Sequence, residues 1–165
     1  MSPEDLNLNG FTHLNFAFAS FDPSSFAIAP MDSKSGELFG RFTALKDTHP
    51  GLETWISVGG WSFTDPGPTR SAFSDMTSSS GNRQKFITGL ISFMEQYGFD
   101  GVDLDWEYPQ ADDRGGITAD KDNYSALVKD LRAAFGMEYP RNFNIDAFLR
   151  DADWSSVQAT DTASL

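Results

Sequence analysis

Residues 99–109 read FDGVDLDWEYP, and this stretch decides the fold that the sequence predicts. Acids stand at alternate positions, Asp103, Asp105 and Glu107, and the residues between them are apolar. Successive side chains of a strand point to opposite faces. The stretch therefore predicts a buried strand with one apolar face and one acidic face.

Two further strands are predicted upstream of this one. FTHLNFAFA, residues 11–19, is rich in Phe, and ETWISVGG, residues 53–60, is a short β-rich run that two glycines close. Together with residues 100–107, they give three strands, each separated from the next by about 40 residues. A separation of that size leaves room for a helical crossover between parallel strands.

Apolar residues recur at helical spacing in three segments that follow these strands. The segments are residues 37–50, closed by His49 and Pro50, residues 80–98, closed by Gly98, and residues 119–136, closed by Gly136. The order β-α-β-α-β-α predicts an α/β fold with a parallel sheet. A doubly wound sheet and a (β/α)8 barrel both fit this order.

The periodic pattern ends at Gly136. Residues 137–165 offer one possible short helix, residues 145–149, and no further strand. The sequence thus divides into a βα-patterned region, residues 1–136, and a divergent tail, residues 137–165.

Composition limits the classes of partner. The chain has 165 residues, a net charge of -12 and no cysteine. Such an acidic chain is not expected to bind nucleic acid or an anionic membrane surface, and disulfides and thiolate metal sites are excluded. Residues 1–10 lack the pattern of an export signal, and no apolar run is long enough to span a membrane.

The acidic face of the third strand predicts paired-carboxylate chemistry. Carboxylates at i and i+2 lie roughly 6.6 Å apart, so they repel one another and at least one should hold a proton at neutral pH. A raised pKa suits a general acid. Two alternatives stay open, namely acids that decorate a solvated sheet face and a Mg²⁺ or Ca²⁺ site.

These residues resemble the signature of a known family. The spacing Asp100-x-x-Asp103-x-Asp105-x-Glu107 is similar to the DxxDxDxE motif of glycoside hydrolase family 18, the chitinases. SVGGW at residues 57–61 resembles the SxGG element of that family's preceding strand. WEYPQADDRGG, from residue 106, is especially similar to fungal members.

The resemblance implies a (β/α)8 TIM barrel, here incomplete, with residues 1–136 as a partial catalytic barrel holding its second to fourth strands. It implies hydrolysis of chitin or N-acetylglucosamine oligosaccharides without a cofactor or metal, endo cleavage being the expected mode. By this resemblance Glu107 is the proton donor, Asp105 holds the substrate acetamide, and Asp103 shares a proton with Asp105. The family also implies an extracellular location.

Other residues receive roles by the same comparison. Trp61 would stack on a sugar, with core packing as the alternative, and Tyr108 would line the cleft. Gly59 and Gly60 would admit substrate close to the backbone or simply form a tight strand end. Ser57 and Asp100 are structural residues of the motifs. His13 and His49 are also assigned structural roles, because the sequence shows no partner that would make either a general base.

The sequence also departs from the family. A barrel of this type needs about 250 residues, and nothing after Gly136 resembles the later strands or the family's Met-x-Tyr-Asp element. We therefore expect residues 137–165 to be a foreign ending from a premature stop, altered splicing or an incomplete gene model. A non-catalytic remnant and an oligosaccharide-binding relative stay open as alternatives to the hydrolase.

Overall fold

The computed structural model describes residues 2–138, in which four strands form one sheet. The strands lie in the order β2-β1-β3-β4. Strands β1, β3 and β4 are parallel, whereas β2 runs antiparallel to β1. The strands are β1 (His13–Phe21), β2 (Ile28–Pro30), β3 (Glu53–Gly59) and β4 (Gly101–Asp105).

Within the described residues, four α-helices accompany the sheet. They are α1 (Ser33–Thr43), α2 (Ala72–Thr77), α3 (Ser80–Tyr97) and α4 (Asp120–Glu138). Helix α1 lies between β1 and β3 in the chain, and α3 lies between β3 and β4, so the predicted alternation of strands and helices is confirmed. Short 3-10 turns cover Pro3–Asp5, Ala44–Asp47, Trp61–Thr64 and Asp112–Arg114.

The structure corrects several predicted boundaries. Strand β4 ends at Asp105 rather than at residue 107, and α4 continues past Gly136 to Glu138. Strand β2 and helix α2 lie in stretches for which the sequence predicted only loops. The possible helix at residues 145–149 lies outside the described residues.

The ends of α3 follow its sequence signals. Ser79 caps the N-terminus, where its side chain accepts a hydrogen bond from the amide of Asn82. Gly98 takes the left-handed conformation at the C-terminus, with φ of 79°, and its amide donates to the carbonyl of Met94. These two caps fix where the chain leaves the helix and enters β4.

The core lies between one face of the sheet and the helices, and it is built largely from phenylalanine. Phe39 of α1 is fully buried and makes edge-to-face contacts with Phe16 of β1 and Phe93 of α3. The pairing of β1 with β3 shifts between Ala17 and Ala19. Because of this shift, Ala19 and Phe21 also point into the core.

The opposite face of the sheet carries small and polar residues. Across β3 and β4, Ser57 pairs with Asp103 and Gly59 pairs with Asp105. Gly59 has no side chain, so the carbonyl of Asp105 and the ring of Phe73 pack closely against its backbone.

We expect Gly59→Ala to lower the free energy of unfolding by about 2–4 kcal/mol. Gly59 has φ of 112°, and an added Cβ would lie 2.4 Å from the carbonyl oxygen of Asp105 and 2.9 Å from the ring of Phe73. Urea titration would measure the change. Gly40→Ala in α1 is the matched control, since a Cβ there meets nothing within 4 Å and should be neutral or stabilising. Equal losses for the two variants would contradict the prediction.

Candidate active site

Asp103 lies on the polar face of β4 and is held by the neighbouring strand. The hydroxyl of Ser57 on β3 donates a hydrogen bond to its Oδ2 at 2.8 Å. Burial raises the pKa of Asp103, and the hydrogen bond from Ser57 opposes that rise. Ser57, taken as structural in the sequence analysis, thus orients one of the three acids directly.

Asp105 is the next acid on the same face and is electrostatically coupled to both of its neighbours. Burial raises its pKa to about 6, and the negative charges of Glu107 and Asp103 add to the rise. Asp105 therefore takes up a proton at mildly acidic pH, where an ordinary aspartate is ionised. The structure brings the three acids together as one interacting group.

Glu107 lies two residues beyond the end of β4, where it is half-buried. A hydrogen bond with the Glu107 side chain is the main cause that raises the pKa of the Tyr108 hydroxyl. Glu107 thus has Asp105 on one side and Tyr108 on the other, at the carboxyl end of the parallel strands. Catalytic groups of parallel α/β barrels occupy this end of the sheet.

The glycines at the end of β3 let the chain turn away from the acids. Gly60 has φ of 86°, and its amide donates to the carbonyl of Asp105 at 2.9 Å. An added Cβ at Gly60 would lie 3.0 Å from the ring of Phe18. The tight strand end is therefore a backbone requirement.

Trp61 follows directly, and 53% of its surface is exposed, so core packing does not account for it. The guanidinium of Arg114 lies 4.0 Å above the centre of its ring. Tyr108 meets the same indole edge-on, with ring centres 6.2 Å apart. An exposed aromatic ring thus lies beside the residue that follows the terminal acid.

Asp100 and the histidines lie apart from this group, at the other end of the sheet. Asp100 precedes β4 and accepts hydrogen bonds from Lys46 Nζ at 2.7 Å and from the amide of Thr54 at 2.8 Å. His13 begins β1 and lies 3.3 Å from a Glu53 oxygen. His49 precedes β3 and pairs with the carbonyl of Leu45.

Two residues of the site carry no signal that the sequence analysis recognised. Thr64 is fully buried, and its hydroxyl donates to the carbonyl of Glu107 at 2.6 Å. Arg114 is also buried and directs its guanidinium to the same carbonyl and to that of Trp61. The glycine that follows Arg114 was the available signal, since Gly115 has φ of 81° and marks a constrained turn.

The structure bears on the alternative readings of the acids. Asp103 and Asp105 are partly buried and have raised pKa values, unlike acids on a solvated sheet face. Within residues 2–138, no group of three or more His, Cys, Asp or Glu side chains is arranged to hold a metal ion.

Two surface clefts of about 210 and 240 Å³ lie elsewhere and include none of the three acids Asp103, Asp105 and Glu107. Among residues 2–138, no helix is long and apolar enough to cross a membrane.

Comparison with known proteins identifies a family and several proteins to which this chain is similar. The family model described as "Glycosyl hydrolases family 18" matches residues 2–163. Mouse chitotriosidase-1 is 38% identical over 136 residues, which cover 82% of this chain and 27% of that protein. The chain thus spans about a quarter of this relative's length. The similarity to fungal members that the sequence indicates stays a prediction.

Solved structures share the same fold. A Group IV chitinase from Ostrinia furnacalis, solved in complex with allosamidin, superposes with a TM-score of 0.73 at 31% identity, over 82% of this chain and 36% of that one. A chitinase-like agglutinin from Robinia pseudoacacia gives a TM-score of 0.70 at 33% identity, over 84% and 38%. The described residues are therefore part of a (β/α)8 barrel, as the resemblance implied.

We expect Asp105→Asn to weaken the pH dependence of stability. The pKa of Asp105 is higher in the folded chain than its ordinary value of 3.8, so the folded form binds more protons between about pH 4 and 6. This contribution to stability is present below about pH 4 and is lost as the pH rises through about 6. The free energy of unfolding of the variant should therefore fall less over this range.

Urea unfolding at several pH values would measure the difference. Glu95→Gln, which removes an exposed carboxylate on α3, is the control and should retain the wild-type slope. If Asp105→Asn also retains that slope, the raised pKa assigned to Asp105 is wrong.

Proposed function

The chain belongs to glycoside hydrolase family 18, and on that basis we propose that it acts as a chitinase, which hydrolyses β-1,4 linkages between N-acetylglucosamine units. The observation that carries this proposal is the coupled row of Asp103, Asp105 and Glu107 at the carboxyl end of β4. The endo mode of cleavage and the extracellular location stay predictions.

In the proposed reaction, Glu107 is the general acid. It protonates the glycosidic oxygen while the acetamide oxygen of the sugar attacks C1, which breaks the bond to the leaving sugar. Family 18 is among the glycosidases in which the substrate supplies the nucleophile in this way. The Glu107 carboxylate then takes a proton from a water molecule, whose oxygen attacks C1 and opens the oxazolinium-like intermediate, so that the configuration at C1 is retained.

Asp105 would support the acetamide during this step. Its ionised carboxylate accepts a hydrogen bond from the acetamide N–H and offsets the positive charge that develops on the ring. With a pKa of about 6, Asp105 exchanges a proton readily near neutral pH. Asp103, oriented by Ser57, is the neighbour with which Asp105 shares that proton.

The substrate class follows from the surface beside the acids. Trp61 exposes an aromatic ring, which suits the apolar face of a neutral sugar. Tyr108 contacts that ring and the Glu107 carboxyl, and it would line the cleft. This combination of an exposed aromatic ring and half-buried acids supports recognition of N-acetylglucosamine oligosaccharides.

A second candidate is binding of the same oligosaccharides without cleavage. The observation in its favour is the structural likeness to a chitinase-like agglutinin. All three acids are intact here, which favours the hydrolase. Binding without product release would identify the second candidate.

We expect Glu107→Gln to lower hydrolysis of a fluorogenic N-acetylglucosamine oligomer by at least about 10²-fold, because the amide cannot donate the required proton. Oligomer binding, measured by calorimetry, should persist. Glu95→Gln is the control and should hydrolyse at the wild-type rate, since its side chain lies exposed on α3.

Equal rates of oligomer hydrolysis by wild type and Glu107→Gln would contradict the role of Glu107 as proton donor. If neither protein hydrolyses the oligomer but both bind it, the second candidate function is correct.

A further inference from the structure

Arg114 occupies an unusual position for a charged residue in a surface loop. Only 9% of its side chain is exposed, although it lies in the short turn Asp112–Arg114. Its Nη1 pairs with Asp65 at 2.7 Å, and this carboxylate offsets the cost of burying the cation. A loop arginine that is buried and paired in this way has a defined orientation.

The guanidinium joins the two loops that form the site. In the loop after β4, the carbonyl of Glu107 accepts a hydrogen bond from the Nε of Arg114 at 3.5 Å. In the loop after β3, the carbonyl of Trp61 and the hydroxyl of Thr64 accept hydrogen bonds from its Nη2, the latter at 2.9 Å. Thr64 donates in turn to the carbonyl of Glu107, so the backbone of the acid is held from two sides.

Arg114 also covers one face of the Trp61 indole, at 4.0 Å from the ring centre. Since 53% of Trp61 remains exposed, its accessible surface lies mainly on the opposite face and the edges. The planar guanidinium suits this place, because it can stack on a ring while it donates hydrogen bonds in its own plane. The ring and the acid thus share one rigid support.

The loop that carries Arg114 is itself anchored. Arg70 donates to the carbonyl of Asp113 at 2.9 Å. Asp120, fully buried at the start of α4, accepts from the amides of Ile117 at 2.6 Å and Gln110 at 3.1 Å. The position of Arg114 is therefore determined independently of Trp61 and Glu107, so Arg114 can position them.

We propose that Arg114 is a positioning residue that holds Trp61, as the sugar platform, and Glu107, as the proton donor, in a fixed relation. A sugar stacked on the platform then presents its linkage to the donor. This inference rests on the proposed function, and it assigns to Arg114 a role that neither the acid motif nor the glycine motif contains.

Two variants test this proposal at the site. Arg114→Lys keeps the charge but cannot stack and bridge both loops, and we expect kcat/KM to fall about 10²-fold, with kcat lowered and KM raised. Thr64→Val removes the hydroxyl that donates to the Glu107 carbonyl and accepts from Arg114, but it leaves the guanidinium stacked on Trp61. We expect kcat to fall about tenfold with KM within about twofold.

Arg83→Lys is the matched control. Arg83 is another largely buried arginine, with 13% of its side chain exposed, and it pairs with Asp130 at 2.7 Å on the helical side of the fold. Its variant should lose thermal stability while kcat and KM stay within about twofold of wild type. If Arg114→Lys behaves in the same way, Arg114 only anchors its loop and the proposal is overturned.

The indole resonance of Trp61 gives a readout that does not depend on turnover. In an NMR spectrum, the Nε1–H signal of Trp61 is assigned as the one that Trp61→Phe removes. We expect it to shift in Arg114→Lys and to stay in place in Arg83→Lys. If wild type neither binds nor cleaves the oligomer, the proposed function is wrong. An unshifted Trp61 signal in Arg114→Lys would separately overturn the proposal that Arg114 positions Trp61.

Discussion

Three carboxylates close together at the end of a buried strand repel one another, and the rest of the site depends on how that repulsion is relieved. The hydrogen bond from Ser57 stabilises one negative charge, on Asp103. A second negative charge, on Asp105, is neutralised by a proton at mildly acidic pH. Burial and the acidic neighbours of Asp105 raise its pKa to about 6. The same repulsion thus leaves the site ready to exchange protons near neutral pH, as acid catalysis requires.

The apolar residues between the acids hold them in place. Trp106 stands between Asp105 and Glu107 in the chain and points to the opposite side. It is buried, stacks on Phe73 at 5.2 Å and meets Tyr124 edge-on. The burial of this large ring fixes the segment that leads to Glu107, so packing on the helical side supports chemistry on the other side.

The site combines the family 18 motifs with two residues of the loops that follow β3 and β4. The acids and the glycines belong to the motifs by which the sequence resembles the family. Thr64 lies outside those motifs, and Arg114 lies beyond the acids in the stretch WEYPQADDRGG. The two residues connect the loops through the carbonyl of Glu107. The loops that follow parallel strands commonly carry functional residues on a rigid scaffold.

Local pattern was sufficient for the three parallel strands and the main helices, but it missed the short antiparallel strand β2. Period-two alternation shows which side of a strand is buried, and Ser79 and Gly98 mark the ends of α3, because each of these signals acts within a few residues. The pattern was misleading at Gly136, where α4 continues because a glycine inside a helix costs only about 1 kcal/mol.

The sequence by itself determined that acids alternate with apolar residues in the segment that forms β4 and its continuation, and that glycines end the strand beside it. Only the tertiary structure decided which side chains surround them. Arg114 is one example, because in the sequence it looks like an exposed charge in a loop. In the structure its partners are Asp65 and Trp61, which lie 49 and 53 positions earlier in the chain. Such contacts depend on the folded path of two loops, and no local periodicity encodes that path.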